Sequence, residues 1–157
     1  MDRKSKKEVY ENIRKALYMI DMNNGFVNFG NMANPKYNEL VNEQLKLINK
    51  FRKENQLVNF VLEGHTTDSI EFDSYPSHCV LGTKEAELIP EFIDEQNKEN
   101  TRTYYKNSIN GMLNRNLQDD IREVFVQSHF MDEERIETIA KAGNSRVEEL
   151  QEMALEH

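Results

Sequence analysis

The fold of this chain is best predicted from residues 57–88, whose sequence is LVNFVLEGHTTDSIEFDSYPSHCVLGTKEAEL. Residues 57–62 form a mostly apolar run, which is typical of a strand that is buried on both faces of a parallel sheet. Residues 66–82 are rich in turn-forming residues and show no periodicity, so they predict a long loop. Loops of that length inside a compact domain are usually functional.

A carboxylate and two imidazoles occur close together at the end of this strand. Glu63 and His65 lie two residues apart, and His78 follows behind Pro76 on the loop. One carboxylate and two neutral imidazoles suit a borderline divalent metal with open coordination positions. We therefore expect Glu63, His65 and His78 to be metal ligands. The alternative for each histidine is an ordinary hydrogen-bonded residue of the surface or the core.

The remaining elements alternate between strand and helix. Residues 16–20 predict a buried strand, and Thr101 to Tyr105 predict a third one. Between the first two strands, Asn34 is a candidate N-cap with Pro35 at the first helical position, and apolar residues recur at helical spacing up to Phe51. This order predicts an α/β fold with a mostly parallel sheet and right-handed crossovers.

Chemically useful residues follow the predicted strands. Asp21 follows the first strand, Glu63 and His65 the second, and Lys106 the third. Parallel sheets bind ligands outside the carboxyl ends of their strands, so these side chains are expected to converge. Taken singly, Asp21 could equally be a loop aspartate that hydrogen-bonds nearby backbone, and Lys106 a solvated lysine.

The second half of the chain gives weaker patterns. Thr83 is a candidate cap for a helix that carries Ala86, Ile89, Phe92 and Ile93. Residues 117–123 predict a short helix, and residues 124–127 a strand or a frayed remnant of one. From residue 130 to 157 the apolar residues recur at helical spacing, which predicts a helical C-terminal segment. We expect one domain over residues 1–157.

Composition excludes several classes of protein. The chain has 157 residues, of which 38% are hydrophobic and 31% charged, and its net charge is -8. This acidic surface would repel phosphate backbones, so we expect no nucleic-acid partner. The single cysteine fits a reducing compartment, and neither a bilayer-spanning stretch nor a signal peptide is evident. A cytoplasmic location is expected.

The motifs resemble those of the nicotinamidase and isochorismatase-like cysteine hydrolases, in which strand two ends in Asp-x-His and a longer motif follows. The matching residues of that longer motif are Pro76, His78, Cys79, Gly82, Thr83, Glu87 and Leu88. The family's opening strand, aspartate, polar run and phenylalanine are matched by residues 17–26, and its later lysine by residues 105–108. The resemblance covers roughly residues 15–126.

This resemblance implies a three-layer fold with helices on both faces of the sheet. It also implies hydrolysis of a small carboxamide such as nicotinamide to the acid and ammonia, a reaction of NAD salvage. Asp21 would be the general base, Lys106 the cationic stabiliser and Phe26 one wall of a flat aromatic pocket. The metal held by Glu63, His65 and His78 would be zinc.

Two departures from the family pattern affect the functional interpretation. Glu63 stands where the family usually has aspartate, which moves the carboxylate outward by one methylene. The family's nucleophilic cysteine, in a Gly-x-Cys turn after strand four, has no counterpart, because Cys79 neighbours a metal ligand on the earlier loop. Ser145, within Gly143-Asn144-Ser145, lies near the expected position, but a capping box formed by Ser145 and Glu148 is the preferred interpretation.

Three functional hypotheses follow. The first is an amide hydrolase. The second is a non-catalytic metal- or ligand-binding relative that keeps the pocket without the nucleophile. The third is a truncated or frame-shifted product with an incomplete fold. The sheet is expected to be shorter than the family's, with its edge covered by the C-terminal helices or by a second copy of the chain.

Overall fold

A computed structural model describes residues 12–130 and 137–141 of this chain. Four parallel strands form one sheet in the order β3-β2-β1-β4. These strands are β1 (Lys15–Ile20), β2 (Leu57–Glu63), β3 (Thr101–Lys106) and β4 (Glu137–Lys141). The parallel α/β fold is therefore confirmed. Among the described residues, no helix has the length and apolar character required to cross a membrane.

The two central strands divide the core between the faces of the sheet. Along β1, Tyr18 and Ile20 belong to one buried cluster, whereas Leu17 and Met19 belong to the other. This division follows from the two-residue period of a strand, which sends successive side chains to opposite faces. Every residue of β2 is buried, as the apolar run predicts.

Helices cover both faces, which confirms the three-layer arrangement. The helices are α1 (Asn24–Val27), α2 (Val41–Lys53) and α3 (Arg115–Phe130). Ile48 and Phe51 of α2 pack into the cluster that contains Leu17. Leu117 and Ile121 of α3 pack into the opposite cluster.

The predicted N-cap of the helix between the first two strands is confirmed, but the first segment after it is a 3₁₀ helix. The side chain of Asn34 accepts a hydrogen bond from the Lys36 backbone N–H at 3.1 Å, and Pro35 is the first residue of a 3₁₀ segment, Pro35–Leu40. That segment runs directly into α2. The last turn of α2 carries Lys50, Arg52 and Lys53, cations that the helix dipole favours there.

Three predictions about the second half are wrong. Residues 83–93 form no α-helix; two 3₁₀ segments, Lys84–Ala86 and Pro90–Asn97, occur instead, because Pro90 cannot donate a helical hydrogen bond. Residues 124–127 lie within α3, which is longer than expected.

The third correction concerns the C-terminal segment. Residues 137–141, expected to be helical, form strand β4 alongside β1. A short apolar run is ambiguous between helix and strand, and pairing with the open edge of β1 favours the strand. The other residues of this segment, 131–136 and 142–157, lie outside the described residues, and they include Ser145.

Candidate functional site

The carboxyl ends of three strands bring Asp21, Glu63 and Lys106 together. The Nζ atom of Lys106 lies 3.0 Å from Oδ1 of Asp21 and 2.9 Å from Oε1 of Glu63. All three residues are buried. Asp21 has a φ of 60°, a left-handed conformation that is uncommon for a residue other than glycine and is concentrated at functional sites. The predicted convergence of these side chains is confirmed.

The charges in this cluster stabilise one another. Burial alone would lower the pKa of Lys106, but the carboxylates of Asp21 and Glu63 raise that pKa above its ordinary value. Burial alone would raise the pKa of Glu63, but Lys106 lowers it below its ordinary value. The cluster therefore favours the ammonium form of Lys106 and the carboxylate form of Glu63.

The second oxygen of Glu63 faces both predicted histidines. Oε2 lies 3.0 Å from Nε2 of His65 and 2.9 Å from Nε2 of His78. The two imidazole rings are buried, and their centroids are 4.7 Å apart. The structure thus brings together all three residues predicted to bind a metal, and it places them beside Lys106.

The outer nitrogens of both imidazoles are fixed by acceptors. Nδ1 of His78 lies 2.7 Å from the carbonyl oxygen of Pro76. Nδ1 of His65 lies 3.0 Å from Oδ1 of Asn107 and 3.1 Å from Oγ of Ser69. The orientation of the Asn107 amide is set because its Oδ1 also accepts the Thr66 backbone N–H. Each Nδ1 therefore carries a proton in the neutral ring, and each Nε2 presents a lone pair.

This donor set fits a divalent cation. Nε2 of each imidazole faces Oε2 of Glu63 at 2.9–3.0 Å, so a proton or a metal ion must lie between the nitrogen and the carboxylate oxygen. Neutral imidazole with its second nitrogen bonded to a carbonyl or amide oxygen is the usual arrangement of a metal-ligating histidine.

A fourth candidate ligand, the carboxylate of Glu71, was not predicted from the sequence. Ligand atoms of Glu63, His65, Glu71 and His78 all lie within 4.8 Å of one another. Oε2 of Glu71 is 3.6 Å from Nε2 of His65, and its other carboxylate oxygen accepts the backbone N–H of Ile109. The available signal was an acidic residue on the same predicted functional loop as His78.

Two phenylalanines stand against the imidazoles. The ring of Phe26, on α1, lies 5.6 Å from that of His78 between centroids. The ring of Phe72, which sequence analysis missed, lies 5.1 Å from that of His65 and 5.6 Å from that of His78. Phe26 is therefore near the cluster, as predicted for a wall of an aromatic pocket.

Asn23 fixes the backbone of Glu63. Its Nδ2 donates to the carbonyl oxygens of Glu63 and Ala86, each at 2.8 Å, and its Oδ1 accepts the Glu63 N–H at 3.1 Å. The side chain is completely buried. From the sequence, Asn23 is predicted only to form a turn.

Cys79 is not placed as an activated nucleophile. The residue is fully buried, and burial together with the nearby carboxylates of Glu63, Glu85 and Asp21 raises the pKa of its thiol. A Cβ atom on Gly25 would lie only 2.6 Å from the sulfur, so the thiol is packed tightly against that glycine. Since nucleophilic cysteines depend on a lowered pKa, this thiol is inert in the described conformation.

Sequence comparison shows the family. The model of the isochorismatase domain matches residues 15–143, so this chain belongs to the isochorismatase family. It is 32% identical over 134 residues to Nicotinamidase 1 of Arabidopsis thaliana, a match that covers 82% of this chain and 53% of that protein. The chain thus spans about half the length of this curated relative.

Solved structures show the same fold. N-carbamoylsarcosine amidase of Thermoplasma acidophilum has a TM-score of 0.71 and 24% identity, over 92% of this chain and 77% of that one. Pyrazinamidase of Pyrococcus horikoshii, solved in complex with zinc, has a TM-score of 0.70 and 21% identity, over 92% of this chain and 79% of that one. At these identities the likeness establishes the fold alone.

Proposed function

We propose that this chain is a metal-binding hydrolase domain that converts nicotinamide, or a similar small aromatic amide, to the acid and ammonia. The observation that carries the proposal is the position of Lys106, whose ammonium contacts Asp21 at 3.0 Å and Glu63 at 2.9 Å. This contact joins a proton-transfer pair to the candidate metal ligands. The names of the relatives, a nicotinamidase, a pyrazinamidase and an amidase, support amide hydrolysis.

In this mechanism Asp21 is the general base. It would take a proton from the water that attacks the amide carbon and pass it to the amide nitrogen as the C–N bond breaks, so that ammonia leaves and the acid remains. Lys106, whose ammonium contacts Asp21 at 3.0 Å, would offset the negative charge that develops during the attack. Phe26 and Phe72 provide flat apolar surfaces beside the cluster, suited to the faces of an aromatic ring.

Glu63, His65 and His78 would hold a divalent metal, proposed to be zinc, with Glu71 as a further carboxylate within reach. When bound, the metal would act as a Lewis acid toward the ring nitrogen of a heteroaromatic substrate. The protein fixes the orientation of the ligands through Pro76 and Asn107.

Release of ammonia from nicotinamide tests this proposal. Zinc-loaded protein should release ammonia, and Asp21→Asn should lower the rate by about 100-fold or more, since this substitution removes the general base. Asp68→Asn, at an exposed loop position, should leave the rate unchanged. Activity that survives Asp21→Asn would remove the mechanism.

A non-catalytic ligand-binding relative is the second candidate. The specific observation in its favour is that the chain's single cysteine is buried with a raised thiol pKa, so that the described residues contain no thiolate nucleophile. Zinc retained through dialysis together with zero turnover would favour this candidate. Turnover that depends on Asp21 would exclude it.

Location and assembly remain predictions from the sequence. The single thiol supports a cytoplasmic location. Sedimentation of the purified chain would test whether a second copy of the chain covers the edge of the sheet.

A further inference from the structure

The residue that follows His78 has a strained backbone. Cys79 adopts a φ of 45°, a left-handed conformation that disfavours any residue with a Cβ atom. Such a conformation persists only where neighbouring groups hold it. The backbone N–H of Cys79 donates to Oε2 of Glu85 at 3.0 Å, a hydrogen bond strengthened by the charge of the carboxylate.

Glu85 also contacts the first loop of the site. A Cβ atom on Gly30, where φ is 115°, would lie 2.6 Å from Oε1 of Glu85. A Cβ atom on Gly25 would lie 3.1 Å from the Cβ of Glu85 and 2.6 Å from the sulfur of Cys79. The side chain of Glu85 therefore fills the space between α1, which carries Phe26, with the loop that follows it, and the turn that carries His78.

The backbone around Glu85 reinforces this junction. The side chain of Asn24 donates to the carbonyl oxygen of Lys84 at 3.0 Å. The backbone N–H of Asn24 donates to the carbonyl oxygen of Glu87 at 2.9 Å. Residues 84–87 are therefore hydrogen-bonded to Asn24 of α1 through their backbone carbonyl oxygens. The side chain of Glu85 connects them to the turn that carries His78.

We propose that Glu85 is a positioning residue, whose carboxylate sets the place of His78 relative to Phe26 by holding the left-handed turn at Cys79. It contacts neither imidazole in any described hydrogen bond, so it would act through the backbone of Cys79. This inference deepens the proposed function, because His78 is the candidate metal ligand and Phe26 the candidate pocket wall.

The variants are Glu85→Ala, which removes the acceptor, and Glu85→Gln, which keeps an acceptor oxygen and nearly the same shape. Glu91→Ala, at an exposed position in Pro90–Asn97, is the matched control. Melting temperatures are measured for all variants, so that loss of the whole fold is recognised.

Two readouts need no metal and no turnover. The first is the rate at which the Cys79 thiolate attacks a disulfide reagent: a mixed disulfide forms, the reagent's S–S bond breaks, and the other half of the reagent leaves as a thiolate. The second is the proton spectrum of the imidazoles, which is simple because the chain has 4 histidines. The His78 signal is assigned with His78→Gln.

Glu85→Ala should react at least tenfold faster and shift the His78 signal, and Glu85→Gln should restore both to near the wild-type values. Equal thiol rates and unchanged His78 signals in Glu85→Ala would overturn the proposal. An effect that Glu85→Gln fails to restore would also overturn it. Because neither readout uses zinc or nicotinamide, a failure of the proposed function leaves this test decisive.

Discussion

Lys106 and Asp21 form a buried ion pair of 3.0 Å across the carboxyl ends of β3 and β1, two strands that do not neighbour each other in the sheet. Glu63, at the end of the intervening strand β2, binds the same ammonium. The topology therefore explains the site: three parallel strands end at one edge, and each contributes one charged group. Neither carboxylate would be stable so close to the other without the lysine.

Removal of the lysine charge should destabilise the protein. Lys106→Met keeps most of the side-chain volume but leaves two carboxylates buried without a cation, which should cost about 3 kcal/mol in the free energy of unfolding. Lys98→Met is the matched control, because Lys98 pairs with Glu95 from a side chain that is 52% exposed; it should cost less than about 1 kcal/mol. Urea denaturation measures both, and equal losses would contradict the account.

Asn23 should matter as much for stability as an ordinary core residue. Asn23→Ala leaves the N–H and C=O of Glu63 and the C=O of Ala86 without their buried partner, so we expect a loss of about 2–4 kcal/mol. Asn97→Ala, at an exposed position, should change stability by less than about 0.5 kcal/mol. A difference between the two variants of less than about 1 kcal/mol in urea denaturation would contradict the role given to Asn23.

Much of this site could be predicted from the sequence. Asp21, Glu63 and His65 follow apolar runs and Lys106 follows a predicted strand rich in Thr and Tyr. The rule that parallel strands end at one edge is enough to bring them together. Glu71, Phe72 and Asn23 could not be predicted, because loop residues without a period give no indication of where the chain folds back. Residues 137–141 were predicted wrongly, because local periodicity carries no information about pairing with β1.

Asn107 should tune the affinity for zinc without touching the metal. Asn107→Ala removes one of the two side-chain oxygens that bond Nδ1 of His65, the other being that of Ser69. Outer partners of this kind usually contribute 10-fold or more, so we expect the dissociation constant to rise about tenfold. Asn116→Ala, at an exposed position on α3, should leave it unchanged. Competition with a chromophoric chelator measures both, and identical affinities would remove Asn107 from the site.

Stability should depend on pH through Glu95. Burial alone would raise the pKa of Glu95, but hydrogen bonds from Lys98 and Arg52 lower it below its ordinary value of 4.5. Because the pKa of Glu95 is lower in the folded state than in the unfolded state, the ionised carboxylate stabilises the fold fully at pH values above the unfolded-state pKa. This contribution is lost as the pH falls through the folded-state pKa.

A comparison of the wild type with Glu95→Gln tests the predicted direction in which stability changes with pH. The wild type should be more stable by about 1 kcal/mol at pH 7, because the carboxylate is bonded to the guanidinium of Arg52 at 3.1 Å. The difference should shrink as the pH falls below 4.5 and through the lower folded-state pKa of Glu95. Glu91→Gln, at an exposed position, should show no such trend. A difference between wild type and Glu95→Gln that grows on acidification would contradict the account.

The central claim is that Glu63, His65 and His78 form one metal site beside the Asp21–Lys106 pair. Anomalous diffraction at the zinc edge, from crystals grown with one equivalent of zinc, tests it most directly. The account predicts a single strong peak at about 2.0–2.2 Å from Nε2 of both histidines and from a carboxylate oxygen of Glu63. A peak at another place on the molecule, or no peak near these three side chains, would contradict it.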